Sequence, residues 1–139
     1  MKAAPGSFRD PSGRVYESDG KIFRTITEAY RSQWEKVSPF LYKMVKEGLL
    51  LSLEETASIE NSWKSMKVES LPFISYPYEW SYDQLRDAAL LTLKLQKRAL
   101  EHGLILKDAS AYNIQFKDGK PIFMDHLSFE VWGEGTPWG

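Results

Sequence analysis

Two aspartates and an asparagine stand at intervals that suit phosphate chemistry: Asp108, then Asn113, then Asp125. Hard oxygen donors of this kind suit Mg²⁺, which keeps several waters and is commonly shared between one or two carboxylates and a substrate phosphate. One aspartate is then left to orient a hydroxyl. Aspartate and asparagine also make turns and helix caps for purely local reasons, so the elements that position them decide what they can do. Asp118-Gly119 supplies the positive φ angles of a tight two-residue turn, which predicts a hairpin of Ile114-Gln115-Phe116 and Pro121-Ile122-Phe123-Met124. A hairpin brings the start of its first strand beside the end of its second. Asn113 and Asp125 are therefore expected together, with Asp108 facing them from the preceding loop.

The element before that loop is the strongest helix signal in the chain. Ser81 and Gln84 have the spacing of a capping box, and Gly103 is a left-handed stop. Between them Leu85, Ala89, Leu93 and Leu100 form one apolar row, and Ala88, Leu91, Leu95 and Ala99 the row beside it. Two adjacent rows predict a central, largely buried helix. His102 sits at its C-terminal end, where a dipole-compatible residue is expected.

Upstream, Asp19-Gly20 predicts a second hairpin from Arg14-Val15-Tyr16-Glu17-Ser18 and Lys21-Ile22-Phe23-Arg24. Thr25 and Glu28 have capping-box spacing, so a helix is expected to run toward Val37 and end at Pro39. Ser38 and Pro39 then open a second short helix through Lys46, with Gly48 as its stop. Residues 54–67 read as a helix followed by a loop. Leu71 to Tyr76 reads as a strand restricted by Pro72 and Pro77, ending in the aromatic cluster Tyr76, Tyr78 and Trp80.

Composition narrows the function classes. With 18 basic and 19 acidic residues the net charge is -1, so no overall field draws the chain to nucleic acid or anionic lipid. The absence of cysteine removes disulfides, thiolate zinc sites and cysteine nucleophiles together, and two histidines are too few for a zinc cage. No stretch approaches the ~20 apolar residues of a membrane span, and the start carries no signal-peptide pattern. A cytoplasmic protein is the expectation.

Leu106-Lys107-Asp108-Ala109-Ser110-Ala111-Tyr112-Asn113 resembles the catalytic loop of protein kinases and aminoglycoside-phosphotransferase-like enzymes, and Asp125 stands where those folds place a metal-binding aspartate. The order of buried helix, short strand, loop, hairpin and aspartate is similar too. The resemblance implies an α+β fold: a truncated protein-kinase-like chain with a small N-terminal hairpin plus helices. It divides the chain into a loose arm (1–13), a reduced small-lobe-like part (14–76), a segment of hinge, central helix and metal-loop hairpin (77–130), and a glycine-rich tail (131–139). It implies that Asp108 orients the acceptor hydroxyl, that Asn113 and Asp125 hold Mg²⁺, and that Tyr78, Glu79 and Trp80 of the hinge face ATP. Arg24, with Glu35 in reach, is the stand-in for the phosphate-anchoring lysine. Leu106 replaces the usual histidine, Asp125-His126-Leu127-Ser128 lacks the glycine of the Asp-Phe-Gly motif, and no glycine-rich phosphate loop is present. The chain runs only about fourteen residues past Asp125, which implies a shortened large lobe.

A second resemblance covers most of the chain. Residues 71–80, 106–113 and 123–130 are similar to the N-terminal region of a group of bacterial nodulation-related proteins and S-adenosylmethionine-dependent methyltransferases. It implies an accessory domain whose partner is a missing C-terminal domain of the same protein, where S-adenosylmethionine would bind; no glycine-rich strand-to-helix turn for that cofactor occurs here. Three readings of function follow: an accessory, degenerate kinase-like domain that binds a nucleotide or phosphorylated ligand; an active ATP- and Mg²⁺-dependent phosphotransferase when full length; or a protein-interaction domain. Trp132 and Trp138 in the tail offer apolar area for a missing domain or a homodimer.

Overall fold

Two Asp-Gly pairs fix the two tight hairpins. Asp19 and Gly20 have φ of 53° and 75°, and Asp118 and Gly119 have φ of 52° and 79°. These are the left-handed angles that a two-residue turn requires, and glycine adopts them without strain. The computed structural model describes residues 2–3, 15–59, 62–71 and 75–132. The fold is mixed α+β, and the chain divides into two compact units: Met1–Lys36 with Ser52–Ser70, and Val37–Leu51 with Leu71–Gly139.

The first unit holds an antiparallel sheet of β1 (Lys2–Ala3), β2 (Val15–Ser18), β3 (Lys21–Ile26), β4 (Leu53–Thr56) and β5 (Lys64–Val68), in the order β1-β2-β3-β5-β4. The β2–β3 hairpin is the one expected from the sequence. Residues 54–67, expected as helix and loop, instead form β4, a connection and β5. Their charges, which resemble a solvated helix face, are cross-strand partners: Glu54 sits opposite Lys67, and opposite charges at such positions support pairing. On β5 Ser65, Met66 and Val68 are buried, and Tyr16, Thr25, Ile26, Tyr30 and Trp34 complete the buried set among the described residues of this unit. Thr25 lies within β3 opposite Ser65 and caps no helix. Thr27 takes the N-cap position, with no side-chain cap bond, of a 3-10 turn at Glu28–Tyr30.

Helix α1 (Arg31–Lys46) runs unbroken through Pro39 where two helices were expected, and residues 31–36 belong to the first unit and 37–46 to the second. A proline inside a helix removes one hydrogen bond and crowds the preceding turn. Burial of Val37, Phe40, Leu41 and Met44 offsets that cost, because these residues keep one apolar stripe in helical register across the proline. The Pro39 ring itself is exposed.

In the second unit, α2 (Tyr82–Glu101) starts where its sequence signal puts it. The Ser81 hydroxyl accepts from the Gln84 amide at 3.2 Å, and the Gln84 side chain accepts from the Ser81 amide at 2.9 Å. The helix ends at His102, whose Nδ1–H donates to the Arg98 carbonyl at 2.9 Å, and Gly103 follows with φ of 72°. Only one of its two apolar rows is buried, namely Ala88, Leu91, Leu95 and Ala99; Leu85 and Leu93 remain 45% and 66% exposed. The expected largely buried helix is thus half-buried. Two apolar rows state what a helix can bury, and its packing partners decide what it does bury.

After α2, β6 (Leu104–Leu106) pairs antiparallel with β9 (Phe129–Val131), and β7 (Ile114–Lys117) pairs with β8 (Lys120–Phe123). Phe123 exchanges main-chain hydrogen bonds with Leu49 and Leu51, at 2.9 and 3.1 Å. Phe40, Phe123 and Phe129 form the aromatic centre, with ring centroids 5.3 Å apart for Phe40 and Phe129 and 5.8 Å for Phe123 and Phe129. The expected strand over Leu71 to Tyr76 falls largely on 72–74, and the tail residues 133–139 including Trp138 likewise lie outside the described residues; Leu71, Ser75 and Tyr76 belong to no regular element. No helix among the described residues is long and apolar enough to cross a membrane.

Candidate functional site

The hairpin places Asn113 as the sequence suggests. Ile114 pairs with Phe123, and one step outward the Met124 amide donates to the Asn113 carbonyl at 2.8 Å. Asp125 is the next residue. The β6–β9 ladder continues in the same way: the Lys107 amide donates to the Ser128 carbonyl at 2.8 Å. The loop that begins with Asp108 therefore starts against the turn that Asp125 opens. The main-chain bonds of the two ladders thus end at Asn113 and at the residue before Asp108, all within the second unit.

Each side chain also has local work. Asp108 is exposed, and its Oδ1 accepts from the Ser110 amide at 3.0 Å in an Asx turn. Asp125 is part-buried and caps the 3-10 turn His126–Ser128, accepting from the Leu127 amide at 3.1 Å and from the Ser128 hydroxyl at 2.6 Å. The Ser128 hydroxyl is a partner of Asp125 that the spacing of Asp108, Asn113 and Asp125 does not reveal; an aspartate with serine three residues on is the signal that marks it. The Asn113 Nδ2 is buried with no hydrogen-bond partner. An asparagine amide can be turned end for end, so that position suits a carbonyl oxygen aimed at a cation equally well. Among the described residues no three His, Asp or Glu side chains gather to hold a metal ion. A cation here would rely on Asn113, one or both aspartates and oxygens of its own ligand.

The hinge residues have separate fates. Pro77–Glu79 is a 3-10 turn in which the Glu79 carboxylate accepts from the Tyr76 amide at 2.8 Å. Tyr78 is 79% exposed, with its ring stacked on Tyr76 at 5.6 Å between centroids. Trp80 is buried; its indole N–H donates to the Ser75 hydroxyl at 2.9 Å, and its ring makes a T-shaped contact with Phe116 at 5.0 Å between centroids. Arg24 lies on β3 of the first unit, where Glu35 accepts from the Arg31 Nε at 3.0 Å. His126 is fully buried, and its Nε2–H donates to the Leu51 carbonyl at 2.6 Å, which makes it a packing residue.

No family model matches the chain. The chain is similar to the Nodulation protein NoeA of Rhizobium meliloti (strain 1021), with 37% identity over 139 residues. That alignment takes in 96% of this chain and spans 29% of the length of the relative. Along nearly its whole length, then, the chain is homologous to a stretch of a longer nodulation protein.

Proposed function

We propose that this chain is a degenerate kinase-like module of a longer nodulation-related protein, and that it binds a phosphate-bearing ligand, such as a nucleotide, together with Mg²⁺ at Asn113 and Asp125. The observation that carries this reading is the buried Asn113 Nδ2, which has no hydrogen-bond partner, on a residue whose main-chain carbonyl accepts from the amide of Met124, the neighbour of Asp125. A buried polar atom without a partner costs stability, and a cation-bound ligand beside a reoriented amide would relieve that cost. The Asp125 oxygens accept from the Leu127 amide and from the Ser128 hydroxyl, which hold the carboxylate in place. The donor set suits a hard cation.

When bound, Mg²⁺ supplies positive charge that gathers phosphate oxygens. Asn113 and Asp125 would hold the ion, and Asp108, exposed at the rim, would accept a hydrogen bond from a ligand hydroxyl. Transfer needs more. Phosphoryl transfer depends on positioning and charge stabilisation together, and the chain has neither a glycine-rich phosphate loop nor an evident anchoring lysine. Binding without turnover follows. The same reading places any methyl transfer from S-adenosylmethionine in the remaining length of the parent protein.

Calorimetry tests it. Titration of ATP into the chain and into the full-length parent, with Mg²⁺ and with EDTA, is expected to show Mg²⁺-dependent binding that Asn113→Ala abolishes and Asp118→Ala leaves intact. No binding to the full-length protein would overturn the reading. An interaction role without a small-molecule site is favoured by a different observation, the exposed leucines of α2.

A further inference from the structure

The outward face of α2 is apolar where a solvated helix would be polar. Leu85 and Leu93 are 45% and 66% exposed, and exposed Ala89 lies between them on the same row. Beside this row runs a groove of about 370 Å³, lined by Trp80, Leu85, Ala89, Leu93, Ala109 and Ile114 among others. Its one hydroxyl, that of Thr92, donates to the Ala88 carbonyl at 3.0 Å and so is turned onto its own helix. No polar side chain is left to fix a small polar ligand, and the shape suits the apolar face of another helix.

We infer that the groove receives the α2 helix of a second copy of this chain, the two helices lying antiparallel about Ala89. The row is self-complementary in that arrangement. Positions 85, 89 and 93 are spaced four apart, so inversion about Ala89 sets Leu85 against Leu93 of the second copy and Leu93 against its Leu85. The small Ala89 side chains face each other and permit close approach. Rows spaced by four residues are the ridges that most often interdigitate between helices.

Charge selects the antiparallel direction. The first half of α2 carries Asp83 and Asp87 around a single Arg86, at 3.6 and 3.7 Å. The second half carries Lys94 and Lys97, both exposed, while Arg98 is committed to Glu47 and the one acidic residue, Glu101, lies at the very end of the helix. Antiparallel pairing brings Asp83 within a turn of Lys97 of the second copy, twice by symmetry, and also opposes the two helix dipoles. Parallel pairing would set like charges together. The contact is isologous, as two-fold dimers require.

Sedimentation equilibrium of the 139-residue chain over a wide concentration range tests the inference. A reversible dimer is expected, with Leu93→Asp monomeric and unchanged in far-UV circular dichroism. Asp83→Lys and Lys97→Asp should each raise the dimer dissociation constant roughly tenfold or more at low salt, and the double exchange should restore it. The chain is overturned as its own partner if it stays monomeric throughout, as it would if a different protein or a small apolar ligand filled the groove. A dimer indifferent to Leu93→Asp, or a double exchange that restores nothing, overturns it as well.

Discussion

The Met124 amide donates to the Asn113 carbonyl at 2.8 Å, and this one bond carries the β7–β8 register past the end of the hairpin to the residue beside Asp125. The Asn113 main chain is thereby fixed, while its Nδ2 has no partner. Asn113→Ala removes an Nδ2 that makes no hydrogen bond there, and relief of its desolvation offsets the lost packing of the side chain, so its effect on unfolding should stay within about 0.5 kcal/mol of zero. Urea denaturation checks this. Unchanged stability with loss of Mg²⁺-dependent ligand binding separates a binding role from a structural one.

Asp125 should behave in the opposite way. Its carboxylate accepts from the Leu127 amide and the Ser128 hydroxyl whether or not a ligand is present. Asp125→Ala leaves both donors in a part-buried turn without their acceptor, and a loss of about 1–3 kcal/mol is expected. Asp125→Asn keeps an oxygen for the Leu127 amide and should lose less. Equal effects of the two substitutions in chemical denaturation would show that the cap contributes little.

These residues also show where sequence reasoning succeeds and fails. The turns at Asp19-Gly20 and Asp118-Gly119 and the cap at Ser81 and Gln84 were readable because local backbone geometry dictates them. So was the register that sets the Asn113 carbonyl against the Met124 amide. Thr25 and Glu28 carry the same capping spacing, yet Thr25 is held in β3 by pairing with Ser65, forty residues away in the chain. Residues 54–67 read as helix and loop for the same reason, since their partners lie across a sheet. Local signals rank elements; long-range pairing chooses among them.

Helix α2 yields a direct contrast. Leu95 is fully buried and Leu93 is 66% exposed, two residues apart on one helix. Leu95→Ala should destabilise by about 2–5 kcal/mol through lost burial and the cavity left behind. Leu93→Ala should change the unfolding free energy of the monomer by less than about 0.5 kcal/mol. Thermal melts at low protein concentration check the pair, and comparable losses would mean that the outer face of α2 is covered in the folded monomer.

Pro39 predicts a gain. Alanine there would supply the N–H that a helix interior expects, on an exposed position of α1. The proline penalty of ~3 kcal/mol is partly offset by the freedom that proline removes from the unfolded chain, about 1 kcal/mol. Pro39→Ala is therefore expected to stabilise by about 2 kcal/mol in urea denaturation. A loss instead would show that α1 is bent around Pro39 in a way its packing requires.

Acid should act through Glu47 and Arg98. The Arg98 guanidinium donates to both Glu47 carboxylate oxygens, at 2.6 and 2.7 Å. That hydrogen bonding, opposed by desolvation and aided by the charge of Arg98, holds the Glu47 carboxyl below its ordinary value of 4.5. A carboxylate whose pKa is depressed by folding contributes stability that is fully present above its unfolded pKa and is lost as pH falls through the folded one. Melting temperatures of the native chain and of Glu47→Gln should therefore differ most above pH 4.5 and converge as the pH is lowered further. The difference should also shrink in high salt, because the pair is solvent-accessible and screened. A gap that persists at the lowest pH would assign the effect to packing of the Glu47 side chain rather than to its charge.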